Sequence, residues 1–199
     1  MKGYIVMAKG DRAKAFELYL WNTSLSASLY GPLQALEVAL RNSINRQLCI
    51  KYGNEWYKNT RPIVFLDNQA DRLMEAIKDF NKNRPISVSG IVAKVSFGFW
   101  TDILYFEMYD ELWKQCTHKA FPNRPKGTKR NTIAPIIKRL KDLRNRVAHH
   151  EPIWNRDLLK EHSAMIDIIS WICPITSDWV KQHSLFPSIW SSIHSVEEA

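Results

Sequence analysis

The clearest helical pattern of the chain lies in residues 33–48, with the sequence LQALEVALRNSINRQL. Apolar side chains recur at every third or fourth position along it, which is the spacing of one face of an α-helix. Pro32 suits the first position of this helix, and Gly53 suits its end. We therefore predict a break at Gly31-Pro32, with an earlier helix over residues 12–30. The apolar face consists of Leu33, Leu36, Leu40, Ile44 and Leu48.

Helical patterns continue through most of the remaining chain, and no segment has the pattern of a β-hairpin. Pro85 and Pro174 end two of the predicted helices, because proline disfavours helix in the residue before it. We expect a turn at residues 96–100 and an exposed loop at residues 121–130, which contain two prolines, a glycine and four cations. Asn131 or Thr132 should cap the helix that follows, and Asn155 the next one. The further predicted helices cover residues 67–81, 87–95, 101–113, 132–149, 156–172 and 177–184. Residues 87–95 would also suit a strand, because their apolar residues are β-branched.

The composition is that of a folded protein. Of the 199 residues, 45% are hydrophobic and 12% aromatic, which excludes a disordered chain and suits one packed domain. We expect an all-α, single-domain bundle of about seven helices over residues 1–199, with short flexible ends near 1–10 and 192–199. The three cysteines are far apart, so the sequence suggests neither a disulfide framework nor a zinc site, and we expect no metal or cofactor.

The sequence also favours a cytoplasmic setting. No segment approaches the roughly 20 apolar residues that span a bilayer. Residues 4–8 are too short for the core of a signal peptide and have no cleavage pattern after them. We therefore expect a protein of the reducing cytoplasm with no membrane partner.

Positive charge is concentrated in one part of the chain. The net charge is +8, and residues 119–146 contain ten basic residues against one acid. Such a run is often only a solvated face, but here it also favours an anionic partner, with nucleic acid first and an acidic protein or membrane surface second. The candidate nucleic-acid contacts are Lys126, Lys129, Arg130, Lys138, Lys141 and Arg146.

The basic run leads into residues 144–154, with the sequence RNRVAHHEPIW. Arg144 supplies a planar cation that matches phosphate oxygens. Of the following side chains, His149 and His150 are the ones that can exchange a proton near neutral pH. The segment therefore suits a phosphodiester, although two histidines at a helix end are also typical of a capped, solvated terminus.

Two charged side chains interrupt apolar faces. Arg144 projects within roughly 20° of Ile133, inside the apolar stripe of its helix. Glu37 likewise lies inside the stripe of residues 33–48, and Arg41 follows one turn later. Because a buried charge needs a partner, we predict that these two helices pack together and that Glu37 reaches Arg144, Arg41 or both. The alternative is a surface pair between Glu37 and Arg41.

Arg144 and His149 do not face the same point on a regular helix. Five residues separate them by about 140°, whereas Asn145 and His149 share a face. A distorted last turn before Pro152 could bring the arginine and the imidazole together. A second copy of the chain around a two-fold axis could also complete the site.

Three segments resemble one known family, namely LRNRVAHHEPIWNRD, ALEVALRNSINRQL and VSFGFWTDILY. They resemble the abortive-infection (Abi-like) proteins of bacteria, which belong to the HEPN superfamily of all-helical RNases and RNA-binding domains. The resemblance spans roughly residues 12–180. It implies a metal-independent endoribonuclease that acts as a homodimer with a composite active site. An antitoxin, either protein or RNA, would be a further partner.

The resemblance also implies roles for individual residues. Arg144, Asn145 and His149 match the catalytic motif: His149 as general base or acid, Arg144 neutralising charge in the transition state, and Asn145 orienting His149 or the phosphate. Glu37 and Arg41 would be supporting residues, and His150 a bystander or a substrate contact. Glu151 stands where members controlled by a nucleotidyltransferase antitoxin have a tyrosine, so that type of control is not supported.

Three functions remain open at the level of sequence. The first is an RNase of phage defence or of a toxin–antitoxin pair. The second is a catalytically silent module that binds RNA or a nucleotide in the same basic cleft. The third is a helical interaction protein whose basic loop binds an acidic partner.

Overall fold

The computed structural model describes residues 1–58, 65, 67–81 and 88–194. In these residues the chain forms ten α-helices and two short 3₁₀ helices and no strand, so the predicted all-α class is confirmed. The 3₁₀ helices are Glu107–Tyr109 and Thr117–Ala120. The α-helices are α1 Lys2–Met7, α2 Arg12–Tyr52, α3 Asp67–Asn81, α4 Val88–Lys94, α5 Phe97–Tyr105, α6 Asp110–Gln115, α7 Arg130–Ala148, α8 Leu158–Ile172, α9 Pro174–His183 and α10 Phe186–His194.

Helix α2 runs through the position where we predicted a break. Pro32 lies inside this helix and is buried. A proline in a helix interior costs roughly 3 kcal/mol, because it removes one backbone hydrogen bond and crowds the preceding turn. Burial of one leucine side chain contributes about 1.5–3 kcal/mol, and leucines on both sides of the proline are almost fully buried, so packing outweighs the local preference. These leucines are Leu25, Leu29, Leu33 and Leu36.

The bundle is organised around α2 and α7. Helix α2 packs along α8 and also contacts α5, α7, α9 and α10, while α7 packs along α5 on its other side. Aromatic side chains fill the part of the core next to α5, where Trp100 contacts Phe99 and Trp56 edge to face. Helix α7 is thus held between α5 and α2, which fixes the direction of the side chains at its C-terminal end.

Several predicted boundaries were wrong. Helix α5 already begins at Phe97, because Phe97, Phe99 and Trp100 are buried and the expected turn is reduced to Ser96. The helix expected through Trp113 is interrupted by the extended Phe106. Helix α7 starts at Arg130, before the expected caps. Helix α8 is capped by Asp157 instead of Asn155, and the Asp157 carboxylate accepts a hydrogen bond from the Lys160 N–H.

The two ends of the chain contain helices that the sequence analysis did not assign. Helix α1 lies in the segment expected to be a flexible end, and Tyr4 and Ala8 pack there against Ala15 of α2. Helix α10 places Phe186 in the core. Pro85 and residues 195–199 of the expected C-terminal end lie outside the described residues. Among the described helices, none combines the length and hydrophobicity needed to cross a membrane.

Candidate active site

An ion pair joins α2 to α7. The Arg144 Nε donates to Glu37 Oε2 over 3.1 Å, across 107 positions of sequence. This contact and the packing of α2 against α7 confirm the prediction made from the charged residues in the two apolar stripes. The Arg41 Nε, by contrast, is buried without a hydrogen-bond partner, and the described residues show no ion pair between Arg41 and Glu37.

The ion pair sets the direction of the Arg144 guanidinium. Besides the bond from Nε to Glu37, Nη1 donates to Asn145 Oδ1 over 3.4 Å. A guanidinium carries five N–H donors, and Nη2 forms no hydrogen bond within the described part of the chain. The side chain of Arg144 is 36% exposed and that of Glu37 is 20% exposed. Arg144 is therefore held through Nε and Nη1, and Nη2 is the guanidinium nitrogen that remains for a further hydrogen bond.

Helix α7 ends in a Schellman turn. The His150 N–H donates to the Val147 carbonyl over 3.2 Å, and the Glu151 N–H donates to the Arg146 carbonyl over 2.8 Å. The first residue after the C-cap, which donates the shorter-range of these two bonds, usually adopts a left-handed conformation and is usually glycine. Here it is His150, with φ of 57°. Both histidines are exposed, and His149 is the last residue in helical register before the chain turns away.

A buried amide from α2 holds the segment that follows the histidines. Asn22 Oδ1 accepts from the Ile153 N–H over 2.7 Å, and Nδ2 donates to the Glu151 carbonyl over 3.4 Å. Asn22 is only 4% exposed. Sequence analysis missed this residue, although a signal was present: Asn22 falls three and seven positions before Leu25 and Leu29, on the apolar face of α2.

Arg144 separates two clefts. The first has a volume of about 690 Å³ and lies between α3, α5 and α7, with Asn145 and Lys141 in its wall. The second has a volume of about 780 Å³ and lies between α2 and the end of α7, with Glu37 and His150 in its wall. Arg144 lines both clefts and His149 lines neither. Within one chain Arg144 therefore contacts Glu37 and Asn145, whereas His149 lines neither of the clefts that Arg144 lines.

The cations of the basic run differ in their surroundings. Arg130 is 7% exposed, pairs with Asp110 at 3.2 Å, and donates to the carbonyls of Leu104, Tyr105 and Phe106 at the end of α5. Its guanidinium is thus a structural cap, which removes Arg130 from the expected RNA contacts. A count of charges in the sequence could not distinguish this buried role from an exposed one.

The other expected contacts are nearer the surface. Lys126 and Lys129 are exposed in the loop before α7. Lys141 pairs with Asp102 at 3.1 Å in the wall of the first cleft. Lys138 donates to the Tyr105 hydroxyl over 3.0 Å, and this bond raises the pKa of the lysine. Arg146 donates to the Pro152 carbonyl over 3.0 Å, beside the turn that follows the histidines.

The fold and the site define an all-helical protein with a cationic helix end beside two clefts. The sequence model of the Abi-like protein family matches residues 7–155, about three quarters of the chain. The matched region contains Glu37, Asn22 and the whole of residues 144–154. The chain belongs to the Abi-like protein family, which associates it with abortive infection, a bacterial defence against phage. No curated protein and no solved structure matches the chain.

Proposed function

We propose that this chain is a metal-independent endoribonuclease of the HEPN superfamily, serving abortive infection or a toxin–antitoxin pair. The observation that carries the proposal is the anchored Arg144, which keeps Nη2 available beside Asn145 and stands five residues before the exposed His149. An arginine held in one orientation, an amide and an imidazole are the groups needed to bind a phosphodiester and move a proton.

RNA supplies the nucleophile for this reaction. The 2′-hydroxyl attacks the adjacent phosphorus, and the bond from phosphorus to the 5′-oxygen breaks, which leaves a 2′,3′-cyclic phosphate and a 5′-hydroxyl. An imidazole at the position of His149 accepts the proton of the 2′-hydroxyl or donates one to the leaving oxygen. Arg144 stabilises the charge that develops on the phosphoryl oxygens. Because the nucleophile is part of the substrate, the reaction needs no metal-bound water.

The placement of Arg144 and His149 supports a homodimer. In one chain the two side chains do not share a cleft. A two-fold axis near the end of α7 would place Arg144 of one copy beside His149 of the other, and the RNA contacts would be Lys126, Lys129, Lys138, Lys141 and Arg146. A protein or RNA antitoxin would act by covering the same surface.

A second candidate is a non-catalytic module that binds RNA or a nucleotide. The observation that favours it is again the absence of His149 from both clefts that Arg144 lines. Such a module would use Arg144 and the cations of α7 for binding alone. It would retain salt-dependent affinity for RNA without producing cyclic phosphate ends.

The test is cleavage of total RNA and transfer RNA by the full chain with metal ions chelated. We expect 2′,3′-cyclic phosphate ends, and a loss of roughly 100-fold or more in rate for Arg144→Ala and for His149→Ala. Arg46→Ala, an exposed arginine elsewhere on α2, and His183→Ala, an exposed histidine of α9, are the matched controls. Strict dependence on a metal, or undiminished cleavage by both site variants, would refute the proposal.

A further inference from the structure

Two exposed tyrosine rings edge the cleft between α2 and the end of α7. Tyr30 is 64% exposed and Tyr19 is 44% exposed, and both line the cleft of about 780 Å³ that also contains Arg144. The Tyr19 ring packs edge to face on Tyr4 of α1, with 5.7 Å between centroids, which fixes its orientation. Exposed aromatic rings beside a cation are typical of surfaces that bind single-stranded nucleic acid.

The lining residues of α2 lie along one face of the helix. Tyr19, Thr23, Tyr30, Gln34 and Glu37 follow one another at intervals of three, four or seven positions. These intervals place them in a row, and Tyr30 and Glu37 are about 10 Å apart along the axis. Because Glu37 holds Arg144, the row leads from the tyrosine rings directly to the guanidinium.

The charges of the two clefts differ. In the tyrosine cleft, Glu37 balances Arg144, and the other side chains of its wall are tyrosines, His150 and uncharged residues. The cleft on the other side of Arg144 has four cations, Arg72, Lys94, Lys141 and Arg144, against Glu75 and Asp102. The tyrosine cleft therefore suits an uncharged planar group, whereas the neighbouring cleft suits anions.

Gln34 adds a group that can distinguish one base from another. It follows Tyr30 by one helical turn, is exposed, and its amide forms no hydrogen bond within the described residues. An amide offers both a donor and an acceptor, which matches the edge of a nucleobase. A ring for stacking and an amide for the base edge thus lie on the same face of α2.

We infer that the tyrosine cleft is a nucleobase subsite for single-stranded RNA. Tyr30 stacks on the base, Gln34 contacts its edge, and Arg144 binds the neighbouring phosphate. The inference rests on the proposed function only in that the phosphate at Arg144 belongs to RNA. It adds selectivity for an unpaired base, because a base within a duplex cannot stack on a protein ring.

Binding, measured apart from cleavage, tests the inference. The full chain carrying His149→Ala is titrated with a short single-stranded RNA and with the same strand lacking its bases. We expect the intact RNA to bind more tightly than the abasic strand. Tyr30→Ala should weaken the affinity for intact RNA by roughly fivefold to a hundredfold and leave the affinity for the abasic strand unchanged. Tyr30→Phe should retain the affinity, and so should Trp179→Ala, a control at an exposed aromatic residue of α9. Gln34→Ala should reduce the differences in affinity among the four homopolymers.

The outcomes separate this inference from the nuclease proposal. Equal affinity of the Tyr30→Ala variant and its parent for intact RNA would overturn the base subsite. A change from dimer to monomer in Tyr30→Ala, measured by sedimentation, would also overturn it, because the cleft would then be a contact between copies. If the wild-type chain cuts no RNA while the Tyr30 effect on binding persists, the nuclease proposal fails and the subsite stands.

Discussion

Replacement of Asn22 by alanine should both destabilise the protein and loosen the turn that carries the histidines. The substitution removes the acceptor of the Ile153 N–H, and Ile153 is completely buried. A buried N–H without a partner costs about 1–3 kcal/mol. The Glu151 carbonyl also loses its donor, but Glu151 is exposed and water can replace the amide. We therefore expect a loss of about 2–3 kcal/mol in the free energy of unfolding.

Thermal unfolding and RNA cleavage together test this expectation. In a chain of this size, 1 kcal/mol corresponds to about 2–4 °C, so Asn22→Ala should lower the Tm by roughly 5–10 °C. Cleavage measured well below this Tm should also fall, because the turn after His149 is no longer tied to α2. Asn42→Ala, at an exposed amide of the same helix, is the matched control. A Tm within about 1 °C of the parent, together with unchanged cleavage, would refute the reasoning.

Three further predictions concern the same site and the cysteines. Glu37→Gln should change the free energy of unfolding by less than about 1 kcal/mol, because the ion pair with Arg144 is partly exposed. The same substitution should reduce the rate of RNA cleavage at least tenfold, and cleavage equal to that of the parent would show that the ion pair does not orient the guanidinium. His150→Gly should raise the free energy of unfolding, measured by urea denaturation, by up to about 1 kcal/mol, since glycine adopts a positive φ without strain. A loss of stability in this variant would contradict the assigned turn. Burial raises the pKa of the Cys116 thiol to about 11, whereas hydrogen bonds from Thr176 lower the pKa of Cys173. Because the thiolate is the form that reacts, mass spectrometry after brief alkylation near pH 8 should find Cys173 modified before Cys116. The reverse order would contradict these assignments.

The pairing of Glu37 with Arg144 could be predicted from sequence because each charge interrupts an apolar stripe and needs a partner. The continuity of α2 through Pro32 could not be predicted from sequence. The rule that proline ends a helix depends on the neighbouring residues alone, whereas the burial that outweighs it comes from the other helices of the bundle. The place of Asn22 on the apolar face of α2 indicates a buried amide, but its partners could not be predicted, because its hydrogen bonds join residues 129 and 131 positions apart. The role of Arg130 could not be predicted either, because a count of basic residues does not show that its guanidinium is buried against the end of α5.

The end of α7 distinguishes two ways in which the proposed active site could form. Distortion of the last turn does not bring His149 to Arg144, because the His149 N–H still bonds to the Asn145 carbonyl at 2.9 Å, in regular helical register. The imidazole therefore remains about 140° around the helix from the arginine, which favours a site shared between two copies.

In a site shared between two copies, a mixed dimer of Arg144→Ala and His149→Ala chains has one complete site. Equal mixing of the two inactive variants, with unfolding and refolding, should then restore about a quarter of the wild-type cleavage, since about half of the dimers are mixed and each has one of two sites. The absence of recovery, with mixed dimers demonstrated by differently tagged chains, would contradict the composite site.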